Sequence, residues 1–148
     1  MTSERKVAII TGASRGIGAG LLEAYRDIGY HVVASSRSIG RSDDPSMPAV
    51  DGDIASAKTA DRIVELAIER FGRIDTLINN AGLFIAKPFT DYSEADFATM
   101  VGVNLAGFFH LTQRAAARML LAGTGHIVNI TATMPFTRWP RWRRRSPR

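Results

Sequence analysis

The sequence predicts an α/β fold in which helices cover a parallel β-sheet. Short apolar runs rich in β-branched residues alternate with longer segments of helical periodicity. The first apolar run leads directly into a glycine-rich turn that opens a helix, and the same order of strand and helix then continues along the chain. Strands separated by helices form βαβ units with right-handed crossovers, which makes neighbouring strands parallel.

Five apolar segments are predicted as strands. Val7–Ile10 is apolar at every position, as expected for a strand that is buried on both faces of the sheet. Ala49–Val50 is the weakest of the five and follows a polar, proline-containing loop over residues 38–48. The remaining three are Val32–Ser35, Thr76–Asn79 and His126–Ile130.

Two helices are predicted in the first half of the chain. The first follows the glycine-rich turn, reaches about Ile28 and ends at Gly29. The second is capped by Ser56 and reaches Phe71. Their apolar sides are predicted to be Leu21, Leu22, Tyr25 and Ile28 in the first helix, and Ile63, Leu66, Ala67 and Phe71 in the second.

A third, longer helix is predicted before the fifth strand. Ser93 and Asp96 have the spacing of a capping box, in which each residue's side chain binds the other's backbone N–H. The helix is predicted to run without interruption over about Glu94–Leu121, and Gly123 and Gly125 close it.

The composition is that of a water-soluble protein with one domain. The chain has 148 residues, 45% of them hydrophobic and 22% charged. It has no cysteine, which excludes disulfides and thiolate metal sites, and we predict no metal centre. The apolar run after Lys6 is too short for a signal peptide, and no stretch has the length of a membrane span, so we expect a cytoplasmic protein without membrane contact.

The positive charge of the chain is confined to its last residues. Arg138–Arg148 holds six of the 19 lysines and arginines and no acid, which leaves 13 basic against 14 acidic residues before it. We therefore predict an irregular basic tail over residues 134–148 and no specific nucleic-acid binding by the fold. The tail's arginine, proline and tryptophan content is typical of a GC-rich gene read out of frame, with a nucleic-acid or membrane-binding device as the alternative.

The turn after the first strand is the strongest functional signal. Glycines at its bends let the backbone approach a pyrophosphate, which then meets the free N–H groups at the start of the following helix. The spacing is G-x-x-x-G-x-G, and the predicted cofactor-binding residues of this turn are Gly12, Ser14, Arg15, Gly16, Ile17 and Gly18.

Several segments resemble motifs of the short-chain dehydrogenase/reductase family over roughly residues 5–133. The resemblance implies a Rossmann-type doubly wound parallel sheet and an oxidoreductase that uses NAD(P). The motifs occur in the family's order: the nucleotide-binding turn Thr11–Gly18, the adenine-pocket pair Asp53–Ile54, Asn79–Gly82 after the fourth strand, Val103–Gly107 with the catalytic asparagine, and the fifth-strand segment Gly125–Ile130.

The resemblance assigns a cofactor role to five residues beyond the turn. Asp53 and Ile54 would border the adenine, with a simple loop turn as the alternative role of Asp53. Asn80 is expected to tie neighbouring strands together, and Gly82 to relieve crowding near the cofactor. The full set is Asp53, Ile54, Asn80, Ala81 and Gly82.

The end of the second strand predicts NADP in preference to NAD. An acid at this position accepts hydrogen bonds from the ribose 2′-hydroxyl of NAD, but this sequence has Ser36 followed by Arg37. With Arg15 in the turn, two guanidinium groups are available for a 2′-phosphate. The alternative is that Arg37 is only a solvated loop residue.

The family's tyrosine and lysine are missing from this sequence. The resemblance requires a Tyr-x-x-x-Lys pair on one helix face, in which the lysine lowers the pKa of the tyrosine that acts as general acid and base. The residues four positions after Tyr25, Tyr30 and Tyr92 are glycine, alanine and aspartate.

Two further catalytic positions are implied by the resemblance. Asn104 would hold a water of the proton relay, or would bind backbone within its helix if the lysine is absent. The family's serine falls on Ala132, and a shift of one residue would place Thr131 or Thr133 there instead.

These observations predict an oxidoreductase lineage that transfers hydride between NADP(H) and a small carbonyl or alcohol substrate. We expect residues 1–133 to form an incomplete NAD(P)-binding domain that ends after the fifth strand and is inactive as written. The alternatives are a non-catalytic NADP-binding half-domain and a frameshifted, non-functional product. An exposed fifth strand would make self-association into a homo-oligomer, or marginal stability, the expected outcome, with Phe108, Phe109 and Leu111 lacking partners.

Overall fold

The structure, a computed structural model, describes residues 5–132, and their architecture is the α/β fold that the sequence predicts. The tail over 134–148 and Thr133 lie outside the described residues. In chain order the elements are β1 (Val7–Thr11), α1 (Gly16–Asp27), β2 (His31–Ser36), β3 (Ala49–Asp51), α2 (Ala57–Phe71), β4 (Thr76–Asn79), a 3₁₀ turn (Phe89–Asp91), α3 (Glu94–Val101), a π-helical segment (Gly102–Ala106), α4 (Gly107–Ala122) and β5 (His126–Asn129).

The five strands form one parallel sheet in the order β3-β2-β1-β4-β5. From β1 the chain first builds outward through β2 and β3, and then returns to place β4 on the other side of β1. This reversal creates a crevice at the carboxyl ends of β1 and β4, which is where doubly wound sheets bind ligands. The prediction of a Rossmann-type parallel sheet is confirmed.

Neighbouring residues of β1 face opposite layers of the core. Ile9 pairs with residues of β2 and β4 that pack under α2 and α4, whereas Ile10 belongs to the layer under α1. Both isoleucines are fully buried, and burial of such a side chain contributes about 1.5–3 kcal/mol. Because both faces are covered, the uniformly apolar sequence of β1 is explained.

The helix predictions are correct in position and wrong in two details. Ile28 is 69% exposed, because α1 ends at Asp27 and the C-cap residue no longer faces the sheet. Ser56 occupies the N-cap position of α2, but its hydroxyl accepts no hydrogen bond from the helix. The entry to α2 is instead fixed by Asp53, whose Oδ1 accepts from the N–H of Ala55 at 3.0 Å.

The long helix predicted over Glu94–Leu121 is divided by a π-helical segment. The Ser93 capping box is present, as predicted, and α3 begins at Glu94. The segment Gly102–Ala106 then adds a wider turn before α4, and single π-turns often accompany functional positions in helices. Gly107 starts α4 so close to the loop after β3 that a Cβ would lie 2.9 Å from Cγ2 of Ile54.

The apolar residues of α4 differ in their burial. Leu111 is fully buried in the layer with Ile63, so the expectation that it lacks partners is wrong. Phe108 and Phe109 remain 36% and 53% exposed. An ion pair from Arg114 to Asp61 also links α4 to α2, and the Arg114 guanidinium lowers the pKa of that carboxyl.

Strand β5 is the end strand of the sheet in the part of the chain that the structure describes. Its central residues Ile127 and Val128 are half-buried, and Ile130 beyond it is 38% exposed. Gly123, in the left-handed region at φ +70°, ends α4 just before this strand. Within residues 5–132, none of the helices is long and apolar enough to cross a membrane.

Candidate functional site

A cleft of about 510 Å³ lies at the carboxyl ends of the strands, at the point where the strand order reverses. It gathers segments that are far apart in the sequence, from the β1–α1 turn to the π-helical segment. Its lining residues are Thr11, Gly12, Ser14, Arg15, Gly16, Ile17, Ser35, Ser36, Arg37, Ser38, Gly52, Asp53, Ile54, Asn80, Ala81, Gly82, Leu83 and Val103. Of the predicted cofactor residues only Gly18 is not part of the lining, and Asn104 and Ala132 also lie outside it.

The start of α1 is open to an anion. Its N-cap residue, Arg15, has extended backbone and provides no side-chain hydrogen bond, and the first turn of the helix holds no acid. The N–H groups of Gly16 and Ile17 therefore face the cleft without a side-chain acceptor among the described residues. Free N–H groups at the positive end of a helix dipole are a site for phosphate.

Gly18 affects the geometry of the site although it does not line the cleft. It is buried in α1, and a Cβ on it would lie only 2.1 Å from the carbonyl oxygen of Gly12. The same Cβ would lie 2.6 Å from Nδ2 of Asn80. Only glycine allows the first turn of α1 to lie this close to the end of β1, so Gly18 determines where the open N–H groups point.

Thr11 lines the cleft, but the sequence analysis placed it only at the start of the turn motif and not among the cofactor-binding residues. Its buried hydroxyl accepts hydrogen bonds from the N–H groups of Asn80 at 3.0 Å and Ala81 at 2.9 Å, and donates to the carbonyl of Ile78 at 3.4 Å. A buried hydroxyl at the end of the first strand was the available signal. Thr11 holds the end of β4 beside the glycine-rich turn.

Asn80 ties β4 to the turn, as the sequence analysis expected. Its Nδ2 donates to the carbonyls of Thr11 at 2.9 Å and Gly12 at 3.3 Å. Gly12 has φ +66°, and a Cβ on it would approach Nδ2 of Asn80 to 2.8 Å. The Nδ2 of Asn80 therefore occupies the space that a Cβ at position 12 would need.

The β2 side of the cleft carries positive charge that no acid neutralises. Arg15 and Arg37 are exposed at its rim, and neither guanidinium forms an ion pair or hydrogen bond with any described residue. Ser36 is half-buried, and its Oγ accepts from the N–H of Ser38 at 3.2 Å. Asp53 also lines the cleft, and its carboxylate forms the turn into α2. The loop-turn role considered for Asp53 is therefore present, and its role beside the adenine stays a prediction.

Asn104 binds the backbone of Leu83, before α3, and not backbone within its own helix, as the alternative role predicted. Its Nδ2 donates to the carbonyl of Leu83 at 2.8 Å, and its Oδ1 accepts from the N–H of the same residue at 2.9 Å. A Cβ on Gly82 would lie 3.4 Å from this Oδ1, which is an ordinary van der Waals contact, so the expected role of Gly82 in relieving crowding near the cofactor stays a prediction.

The remaining predicted positions lie after β5. Thr131 and Ala132 are exposed and without regular structure. Thr133 lies outside the described residues. No group of three potential metal ligands occurs among residues 5–132.

Comparison with known proteins decides the family. The model of the short chain dehydrogenase family matches residues 6–144. The chain belongs to the short-chain dehydrogenase family. The match extends into the segment 134–148 that the composition assigns to a basic tail.

Relatives and solved structures agree with this membership. Proteins named only as uncharacterised oxidoreductases share 31% identity over 139 residues in Staphylococcus epidermidis and 30% over 138 residues in Staphylococcus aureus. These alignments cover 90% and 88% of this chain, which spans 60% of the length of each relative.

Two solved structures show the same agreement in three dimensions. A short-chain dehydrogenase from Streptomyces avermitilis matches with TM-score 0.80 and 28% identity, over 89% of this chain and 51% of its own. A variant of ElxO with NADPH bound matches with TM-score 0.78 and 27% identity, over 86% of this chain and 56% of its own. The chain is therefore a member of an NAD(P)-binding oxidoreductase family.

Proposed function

We propose that the cleft binds NADP(H), and that the chain supplies the cofactor-binding part of an oxidoreductase that interconverts a small carbonyl compound and its alcohol. The observation that carries the proposal is the open start of α1 at the reversal of strand order, in a cleft that is also lined by two arginines whose guanidinium groups have no partner among the described residues. That ElxO was solved with NADPH, and in another structure with NADP, supports the choice of cofactor.

The residues of the cleft fit the parts of this cofactor. The pyrophosphate would be held by the first-turn N–H groups of α1, where no side chain competes. The adenine would lie along Asp53 and Ile54, and the nicotinamide half would extend to the β4 side, along Ala81 and Gly82. When bound, NADPH supplies the hydride, while these residues bind and orient it.

The preference for NADP follows from the charges near Ser36. A 2′-phosphate would find two guanidinium groups there, whereas the 2′-hydroxyl of NAD would find no carboxylate at Ser36. Charge-assisted hydrogen bonds contribute about 1.5–3 kcal/mol each, and 1.4 kcal/mol corresponds to about a tenfold change in affinity. We therefore expect NADPH to bind at least about tenfold more tightly than NADH.

We propose that this 148-residue chain by itself does not turn over a carbonyl substrate. It contains no Tyr-x-x-x-Lys, so no phenol with a lowered pKa is available to exchange a proton with the substrate oxygen. Both the Oδ1 and the Nδ2 of Asn104 are hydrogen-bonded to the backbone of Leu83. Cofactor binding without turnover is the expected behaviour.

Fluorescence titration tests the proposal, because bound NADPH changes its emission. Saturable NADPH binding that NADP⁺ reverses and NAD⁺ reverses only at far higher concentration is the expected result. Arg37→Ala should weaken NADPH about tenfold and leave NADH unchanged, while Arg118→Ala, an exposed arginine of α4, serves as the matched control. Absence of saturable binding refutes the binding proposal, equal affinity for NADH refutes the preference, and turnover of a carbonyl panel refutes the inactivity.

A further inference from the structure

The π-helical segment packs against the loop that follows β3, and a glycine at each end of the segment makes the contact. Gly102 begins the segment and Gly107 follows it, and the N–H of Gly107 donates to the carbonyl of Gly102. A Cβ on Gly102 would lie 3.4 Å from the Cβ of Ala55, and a Cβ on Gly107 would lie 2.9 Å from Cγ2 of Ile54. Two successive residues of one loop therefore lie against the two ends of one helical turn.

The wide turn is what places both glycines against the same loop. Residues five positions apart on an α-helix point roughly 140° apart around the helix axis. A turn that is closed by a hydrogen bond across five residues, as between Gly102 and Gly107, brings them toward the same face. Val103, inside this turn, lines the cleft, so the segment is itself part of the cleft wall.

Ile54 connects this packing directly to the cleft. It is 9% exposed, belongs to the core layer under α2 and α4, and also lines the cleft. Its carbonyl oxygen would lie 3.0 Å, and its Cγ1 3.1 Å, from a Cβ on Gly107. The loop is tightly hydrogen-bonded, because Asp53 accepts from the N–H groups of Ala55 and Ser56, both at 3.0 Å. Backbone atoms cannot rotate away from the contact, so only a shift of the loop or of α4 would make room for a side chain.

Of these two elements, the loop is the one with space to move into. The helix α4 is held by its buried residues Leu111, Ala115 and Met119, which pack in the core. The other side of Ile54 borders the open cleft of about 510 Å³. A side chain at position 107 would therefore push Ile54 toward the cleft.

We propose that Gly107 is a positioning residue for the adenine end of the cofactor, and that it acts through Ile54 without lining the cleft itself. This inference rests on the proposed function, in which the adenine lies along Asp53 and Ile54. The absence of a side chain at Gly107 keeps Ile54 out of the space that the base would occupy. Gly107 differs in this from Gly18, which affects the start of α1 and hence the pyrophosphate.

Gly107→Ala tests the inference, and Gly102→Ala is its matched control. Gly107 and Gly102 have helical backbone, with φ of −60° and −57°, so alanine fits both positions and is favoured there by its helix propensity. An alanine at position 102 would make an ordinary van der Waals contact with Ala55, whereas an alanine at position 107 would overlap with Ile54. The two variants therefore differ in the contact that the added methyl group makes.

Two ligands that contain the adenosine half measure the effect. NADPH fills the whole cleft, whereas adenosine 2′,5′-bisphosphate reaches only the adenosine side. Overpacking of this kind corresponds to about a tenfold change in an equilibrium constant, and we expect Gly107→Ala to raise the Kd of both ligands by about this factor. Gly102→Ala should leave both Kd values within about twofold of wild type.

Ile54→Ala tests whether the effect passes through Ile54. This substitution removes the Cγ1 and Cγ2 atoms that the new methyl group would meet. Although Ile54→Ala is expected to lower the affinity for the base by itself, adding Gly107→Ala to it should weaken binding by no more than about a further threefold. The double variant also provides the measurement if Gly107→Ala alone does not fold, because it supplies the volume that the methyl group needs.

Each result either supports the positioning role or overturns it. Unchanged affinity for both ligands in Gly107→Ala, weakening of NADPH alone, or an equal loss in Gly102→Ala overturns it. An undiminished loss in the Ile54→Ala background does the same. Failure of both Gly107→Ala and the double variant to fold also overturns it, because the contact would then determine the fold as a whole. Wild-type protein that binds neither ligand refutes the proposed function itself, and this result is seen before any substitution is made.

Discussion

Gly18→Ala is the most direct test of how the fold positions the open end of α1. The added Cβ would lie 2.1 Å from the carbonyl oxygen of Gly12 and 2.7 Å from its carbonyl carbon. These are backbone atoms at the end of a buried strand, so they cannot rotate away as a side-chain tip would. Either α1 or the glycine-rich turn must move, and overpacking of this kind costs about 1–3 kcal/mol.

The same helix provides a matched control. A Cβ on Gly20 would meet no atom within 4 Å, and Gly20 is exposed on α1. Alanine is favoured over glycine inside helices, so Gly20→Ala should stabilise the protein by about 0.5–1 kcal/mol. The two variants make the same chemical change two residues apart and are expected to have opposite effects.

Urea unfolding and NADPH titration together measure both consequences. We expect the unfolding midpoint to fall in Gly18→Ala and to rise in Gly20→Ala, with equal slopes. Displacement of the first turn should also weaken NADPH by more than about tenfold in Gly18→Ala, and leave it within about twofold in Gly20→Ala. A Gly18→Ala protein with the wild-type midpoint would show that the close approach is not a constraint, and the reasoning would be refuted.

Three further substitutions test hydrogen bonds that stabilise the fold. Thr11→Val should lower the free energy of unfolding by about 1–3 kcal/mol, because it leaves two backbone N–H groups after β4 without their acceptor. Asp75→Asn should cost about 1–2 kcal/mol at neutral pH, because the carboxylate accepts from Arg73 and from the first residue of β1. Ser93→Ala removes the cap that Asp96 completes, and should cost about 1 kcal/mol by thermal unfolding.

The predictions for Thr11 and Asp75 each have a further check. Thr11→Ser keeps the hydroxyl and should retain most of the stability that Thr11→Val loses. Although burial raises the pKa of Asp75, hydrogen bonds from Arg73 and from the N–H of Val7 lower it more, so its folded pKa lies below the ordinary value of 3.8. The contribution of Asp75 is then present above about pH 4 and is lost as the pH falls through the folded pKa. A difference between wild type and Asp75→Asn that persists unchanged at the lowest pH would contradict this assignment.

The sheet and the open start of α1 could be predicted because they depend on local patterns. A buried strand, a glycine-rich turn and a helix lie next to each other in the sequence, and their geometry follows from residues such as Gly12 and Gly16. The register of β1 between β2 and β4 then brings Ser36 and Asn80 to the same cleft. At this edge of the sheet, the local sequence pattern and the pairing of the strands lead to the same arrangement.

The features that could not be predicted depend on contacts across the fold. The π-helical segment interrupts a sequence with continuous helical periodicity, and the side chain of Asn104 on that segment binds the backbone of Leu83, 21 residues earlier. Thr11 also makes a long-range contact, because the two N–H groups that donate to its hydroxyl belong to residues after β4. The residue pattern of one segment does not reveal a hydrogen-bond partner in another segment, because only the order of the strands in the sheet brings the two together.

The residues that line the cleft come earlier in the chain than the position that the resemblance assigns to the catalytic serine. The cleft is lined by residues between Thr11 and Val103, all of which precede β5. The reason is topological: the reversal of strand order lies between β1 and β4, so β5 is one strand removed from that crevice. By resemblance, the serine position falls after β5, at or beside Ala132, and the tyrosine and lysine pair has no counterpart in this sequence. Binding of NADPH and turnover are therefore independent questions for this chain, and a cofactor titration has a definite answer whatever the catalytic assay returns.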